Sequence, residues 1–203
     1  MILRIHPGTP SDRAVNKAAD WLKAGGVIVY PTDTVYGIGC SVDSKSAIER
    51  IHLIKCQQPD KPFSFVCSDL THISEYARVS NMAFKIIKRL IPGPYTFILP
   101  STKMKQLPKL LVSKRKTVGI RVPASPVALA LVKASGHPVL STSVTLPSGE
   151  LLNDPEMIAR HYGNQVDLIL DAGILISEPS TVLDLTHDEP RIVRRGAGDV
   201  SMI

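Results

Sequence analysis

Short apolar runs and amphipathic segments alternate along this chain, and that alternation admits few architectures. A helix is expected over 11–24: Ser11 is placed to cap it, Val15, Ala18, Ala19 and Leu22 share one side, and Gly25-Gly26 ends it. A buried strand over 27–30 follows, then a helix over 44–55 with Ala47, Ile48, Ile51 and Ile54 on one face. A strand over 63–67 and a helix over 80–90 come next, and Pro92-Gly93-Pro94 stops anything helical. Strands over 95–99 and 117–122 flank a basic segment. A helix over 127–134, a strand over 139–142 and a helix over 155–162 follow, with late strands over 168–170, 181–185 and 191–194. The pattern predicts an α/β fold whose twisted mixed sheet is flanked by helices, with antiparallel pairing among the consecutive late strands. The chain shows no repeat, low-complexity tract or linker, so a single domain over 1–203 is expected.

Hydrophobic residues make up 44% and charged residues 21%, a balance that suits one buried core in water. No long uncharged apolar stretch predicts a membrane span. Residues 1–7 lack a basic-then-apolar leader pattern and read as a first strand, so the cytoplasm is the expected compartment. Cys40, Cys56 and Cys67 form no Cys-x-x-Cys pair and are odd in number, which argues against a disulfide framework and a structural zinc site. The net charge of +6 permits an anionic partner such as nucleotide or RNA.

The stretch from Tyr30 to Gly39, Tyr-Pro-Thr-Asp-Thr-Val-Tyr-Gly-Ile-Gly, follows the apolar run Val27-Ile28-Val29. Pro31 keeps the backbone extended, and Gly37 and Gly39 permit close approach of a ligand. Hydroxyls, a carboxylate and two tyrosines at a strand end have the makings of a binding loop. The same Thr and Asp residues also suit an ordinary connection as turn and cap residues.

Five further clusters carry candidate chemistry. Lys55 and Lys61 bracket Cys56-Gln57-Gln58-Pro59-Asp60; they can face a phosphate or carboxylate, and Lys55 at a helix C-terminus is also explained by the macrodipole. The hydroxyls of Ser141, Thr142, Ser143 and Thr145 sit at a strand end, where they can serve edge pairing or bind phosphate or ribose. Arg121 lies inside an apolar strand, and a buried charge needs a partner, either a bound anion or a structural Asp. Arg194-Arg195-Gly196-Ala197-Gly198 forms a basic end. Lys103, Lys105, Lys109, Lys114, Arg115 and Lys116 are crowded without an intervening acid or aromatic, which suits a solvated loop or phosphate contact but not base stacking. No Gly-x-x-x-x-Gly-Lys-Ser/Thr loop or Gly-x-Gly-x-x-Gly fingerprint occurs, and the six histidines lack metal-ligand spacing.

Taken in order, these segments resemble the YrdC/YciO-like family, the threonylcarbamoyl-AMP synthases and their paralogues. They are Tyr30 to Gly37, Pro92-Gly93-Pro94-Tyr95-Thr96, Val118-Gly119-Ile120-Arg121-Val122-Pro123, Ser141-Thr142-Ser143, Ser180-Thr181-Val182-Leu183-Asp184 and Arg194-Arg195-Gly196. The resemblance runs from Ser11 to Gly198 and is nearest the YciO branch. It implies a sheet with a concave basic face. It implies condensation of L-threonine, bicarbonate and ATP, with magnesium on the phosphates, to threonylcarbamoyl-AMP and pyrophosphate for tRNA modification. Double-stranded RNA binding is implied too, with the lysine-rich run 103–116 as its surface. By motif, Thr32, Thr34 and Arg121 would hold threonine. Lys55, Gln57, Lys61, Thr117, Ser141, Ser143, Thr145 and Arg194 would line the ATP site, Lys55 and Arg121 carrying the chemistry. The family pattern has Lys-x-Arg where this chain has Lys55-Cys56-Gln57, and Ser-x-Asn where it has Ser143-Val144-Thr145. Gln supplies neither the permanent charge nor the fork of Arg. The alternative function is therefore a paralogue that keeps the cleft for RNA or nucleotide without efficient synthesis.

Overall fold

The computed structural model describes residues 1–55, 63–102, 116–176 and 178–203, and its described strands form one mixed sheet. The strands are β1 (Ile2–Arg4), β2 (Ile28–Tyr30), β3 (Gly37–Ser41), β4 (Ser64–Val66), β5 (Tyr95–Pro100), β6 (Thr117–Arg121), β7 (Val139–Ser143), β8 (Leu168–Asp171), β9 (Thr181–Asp184) and β10 (Arg191–Arg194). Their order across the sheet is β1-β8-β2-β3-β7-β4-β6-β5-β9-β10. The pairs β1–β8, β2–β8, β4–β6 and β5–β9 are parallel and the others antiparallel. Among the described residues six α-helices pack on it: α1 (Asp12–Lys23), α2 (Lys45–Ile54), α3 (Leu70–Ser74), α4 (Asn81–Leu90), α5 (Pro126–Ser135) and α6 (Pro155–Tyr162).

Local chemistry sets the helix ends. The side chains of Ser44, Asp69, Ser80, Ser125 and Asp154 each accept a backbone N–H of the first turn, a cap contributing about 1 kcal/mol. Ser11 starts α1 in extended backbone, but its side chain makes no cap bond, and its carbonyl takes the Ala14 and Val15 amides instead. Gly136 ends α5 at φ +77°, a left-handed residue suited to glycine.

Two expectations are corrected and one element is added. Residues 37–41 are not loop but the strand β3, paired with β2 and β7; its two glycines mask its strand character. The added element is α3, too brief to show a period. Of the late strands, β9 and β10 pair antiparallel, whereas β8 lies far across the sheet, parallel between β1 and β2.

Side-chain alternation divides the core by face. One face meets α2, α3, α4 and α6 and buries Ile38, Phe65, Phe97, Leu99, Val118, Ile120, Leu140 and Leu183. The opposite face meets α1 and α5, burying Ile28, Tyr30, Val66, Val139, Leu168 and Leu170. That second cluster takes no residue from β5, β6, β9 or β10. Among the described residues, these four strands of the ten carry no helical cover on this face, and Thr117, Arg121 and Arg194 lie on them.

Candidate functional site

Tyr30 ends β2 on the α1/α5 face, and its ring lies against β3. A Cβ at Gly37 would stand 3.2 Å from Tyr30 Cζ and 2.8 Å from Ser141 Oγ; a Cβ at Gly39 would stand 3.2 Å from Tyr30 Cε1 and 2.8 Å from Val139 Cγ1. The two glycines therefore make room for a side chain of the protein, where close approach by a ligand was expected. They let the Tyr30 ring cross β3 toward β7 and Arg121. Its hydroxyl is fully buried without a hydrogen-bond partner of normal geometry, and burial pushes its pKa up to about 12.

The turn after Tyr30 assigns its own protons. Thr32 Oγ1 donates to the Val35 carbonyl at 2.7 Å and accepts the Thr34 amide at 3.1 Å. Its one proton is then spent, so the 3.1 Å contact between the two hydroxyls must be Thr34 donating to Thr32. The buried Thr34 hydroxyl is left with lone pairs only, an acceptor.

Asp33 supplies the internal partner that Arg121 requires. Arg121 Nη2 donates to Asp33 Oδ1, and Asp33 Oδ2 accepts the Ala124 amide at 2.9 Å. Burial lowers the Arg121 pKa, and the Asp33 charge opposes that shift. Arg121 Nε is buried without a partner. Across the sheet Arg194 donates through Nε and Nη2 to the Ser180 carbonyl at 3.1 and 2.7 Å, and Ser180 Oγ lies 2.8 Å from Thr96 Oγ1. Partial burial, and after it the positive charge of Arg121, lower the Arg194 pKa. Two guanidiniums share one field, a condition that an anion relieves.

Lys55, just past the end of α2, reaches the far end of β7. Its Nζ donates to the Ser143 carbonyl at 3.0 Å and to Thr145 Oγ1. Thr145, which stands where the synthase pattern has Asn, is buried and bonded to the lysine. Ser141 is buried and Ser143 half-buried on β7, and half-buried Thr117 opens β6. Gln57 and Lys61, and Lys103, Lys105, Lys109, Lys114 and Arg115, lie outside the described residues. Lys116 is exposed at φ 62°, and its carbonyl accepts the Ser101 amide.

Sequence reasoning reads Tyr30 and Asp33 as parts of a binding loop or an ordinary connection and assigns no role to Ser64; the structure turns Tyr30 and Asp33 toward Arg121. A signal for Ser64 exists: a hydroxyl between Phe63 and Phe65 in a strand must face away from their core. Among the described residues, no group of three or more His, Cys, Asp or Glu is arranged to hold a metal ion. Nor is any described helix long and apolar enough to cross a membrane. A separate hollow between the C-terminal ends of α1 and α5, lined by Lys23, Asp43 and His137, contains none of the expected site residues.

The structure thus gathers two guanidiniums and a set of hydroxyls toward one part of a sheet face, with Lys55 at the far end of β7. The chain belongs to the Sua5/YciO/YrdC family: that family's model, described as telomere recombination, matches residues 20–196. The Escherichia coli (strain K12) protein YciO is 49% identical over 199 residues, covering 97% of this chain and 95% of that one. The crystal structure of E. coli YciO superposes with a TM-score of 0.93 over 100% of this chain and 98% of that chain. The threonylcarbamoyl-AMP synthase of Psychromonas ingrahamii (strain DSM 17664 / CCUG 51855 / 37) is 32% identical over 174 residues, 83% of this chain and 90% of that one. The crystal structure of P. abyssi Sua5 complexed with L-threonine is 27% identical with a TM-score of 0.89, covering 97% of this chain and 57% of that chain.

Proposed function

We propose that this protein joins L-threonine, bicarbonate and ATP into threonylcarbamoyl-AMP, releasing pyrophosphate. The threonine amine attacks bicarbonate carbon with loss of water, and a carbamate oxygen then displaces pyrophosphate from the α-phosphate. Neither step needs a protein nucleophile; both need three reactants aligned and negative charge neutralised. The observation that carries the reading is Arg121: buried, held by Asp33 and charged beside Arg194, it suits the amino-acid carboxylate. Thr34, an acceptor only, suits the amine. Lys55, Thr117, Ser141, Ser143, Thr145 and Arg194 suit the nucleotide, with Gln57 and Lys61 beside them in sequence.

Asp33 is spent on Arg121 and Ala124, so the residues present fit magnesium only as an ion carried on the nucleotide phosphates, whose charge it would offset. The relatives named above support the amino acid and the reaction class. Calorimetry tests the assignment: Arg121→Ala is expected to weaken L-threonine binding far more than ATP binding, and equal losses would refute the role.

A second reading has its own observation. Lys55 is held by Ser143 and Thr145, and Gln57 lacks a guanidinium, an arrangement that suits nucleotide or duplex RNA bound without efficient synthesis.

A further inference from the structure

The strand registers place two residues without an assigned role at the border between the covered and uncovered parts of this sheet face. Ser64 on β4 pairs with Ser141 of β7 on one side and with Gly119 of β6 on the other; Ser141 pairs in turn with Gly39. Four small residues thus cross four adjacent strands in one row. One residue pair further along on one side stand Val66 and Arg121, partners in register. On the other side stand Ser143, opposite Gly37, and Thr117, opposite Pro100. Successive same-face positions are about 6.7 Å apart. The Ser64 row therefore lies midway between the guanidinium assigned to the amino acid and the hydroxyls assigned to the nucleotide.

Two buried groups point to a ligand there. The Tyr30 hydroxyl, fully buried and carried across Gly37 and Gly39 to beside Ser141, has no hydrogen bond of normal geometry, and Arg121 Nε has no partner. Ser64 itself is half-buried and makes no side-chain hydrogen bond among the described residues. Its Oγ leans over β6: a Cβ at Gly119 would stand 3.0 Å from it. Gly119 holds the floor low where Ser64 offers a hydroxyl.

We infer that Ser64 and Gly119 contact the group where the two substrates join, the carbamate oxygens and the α-phosphate. Ser64 donates its hydroxyl to that group, and Gly119 supplies the clearance beneath it. This rests on the assignment of threonine to Arg121 and of nucleotide to Thr117 and Ser143. A contact made only at the junction acts on turnover, because neither substrate alone reaches it.

The test measures threonine- and bicarbonate-dependent pyrophosphate release beside calorimetric binding of L-threonine alone and ATP alone. Ser64→Ala is expected to slow release about tenfold while each ligand alone binds within about twofold of wild type. Ser64→Thr, which keeps the hydroxyl, is expected to retain release within about threefold. Gly119→Ala forces Ser64 aside and should match Ser64→Ala, whereas Gly119→Val should abolish release with each ligand still bound and the melting curve cooperative. Release at the wild-type rate in both Ser64→Ala and Gly119→Val overturns the inference and leaves the synthase reading standing. Loss of binding of one ligand alone by either variant also overturns it, since the residue then belongs to one subsite. Wild-type protein that releases no pyrophosphate refutes the synthase reading and this inference with it.

Discussion

Asp33 and Arg121 form an ion pair whose side chains are each only 10% exposed, and the second Asp33 oxygen takes the Ala124 amide at 2.9 Å. The pair ties the turn after β2 to the turn between β6 and α5, and it fixes the guanidinium on which the threonine assignment rests. Breaking a buried pair costs more than removing it whole, because a stranded charge stays behind. Asp33→Asn is therefore expected to destabilise by about 3–5 kcal/mol. In a double-mutant cycle with Arg121→Met, urea unfolding should give a coupling of about 1–3 kcal/mol. Additive losses would show that the two charges do not depend on each other.

Tyr30 separates stability from function in the opposite direction. Its buried hydroxyl has no hydrogen bond of normal geometry, so Tyr30→Phe should leave stability at pH 7 unchanged or raise it by about 1–2 kcal/mol. The folded pKa, about 12, lies above the ordinary tyrosine value of 10.0, so the stability of the neutral phenol is present below pH 10 and is lost as pH rises from about 10 through 12. Tyr36 and Cys40, also raised to about 12, are present in both proteins, so the difference between the two curves carries Tyr30 together with its charge coupling to Cys40. Urea midpoints between pH 9 and 11.5 should fall less steeply for Tyr30→Phe. Parallel curves would contradict a buried phenol.

The departures from the synthase pattern predict a gain. Gln57→Arg with Thr145→Asn should raise adenylate formation at saturating ATP. The charge-assisted contacts restored are worth about 1.5–3 kcal/mol each, and the two need not add. Steady-state turnover measures it. No gain would place the limitation in another part of the site.

Any RNA affinity of the lysine-rich run should be electrostatic and sequence-tolerant, since it offers charges and no stacking ring. Four phosphate contacts would give a log–log salt slope of roughly −3 to −4. Neutralising Lys114, Arg115 and Lys116 together should flatten that slope for every duplex in filter binding. An affinity independent of salt, or untouched by the triple change, would remove this run from the interface.

How far the sequence reached depends on which interactions are local. The helices were legible because Ala18, Leu22, Ile48, Ile51, Ile86 and Ile87 repeat at helical spacing and a serine or aspartate caps five of the six described ones. Strand β3 was not, because Gly37 and Gly39 have no strand preference of their own; they are strand because Tyr30 must lie over them and β7 must pair with them. That Arg121 needed a partner followed from burial, but that the partner is Asp33, 88 residues away, is tertiary information. The placement of Ser64 between Ser141 and Gly119 depends on strand order, in which β4 lies between β7 and β6, and no local pattern carries that.

Synthase activity is tested most directly by pyrophosphate release from ATP by the wild-type protein, with L-threonine and bicarbonate each omitted in turn. The account predicts release that requires both, with threonylcarbamoyl-AMP accumulating in step with pyrophosphate. Release that ignores threonine, or its absence with all three substrates present, would contradict it.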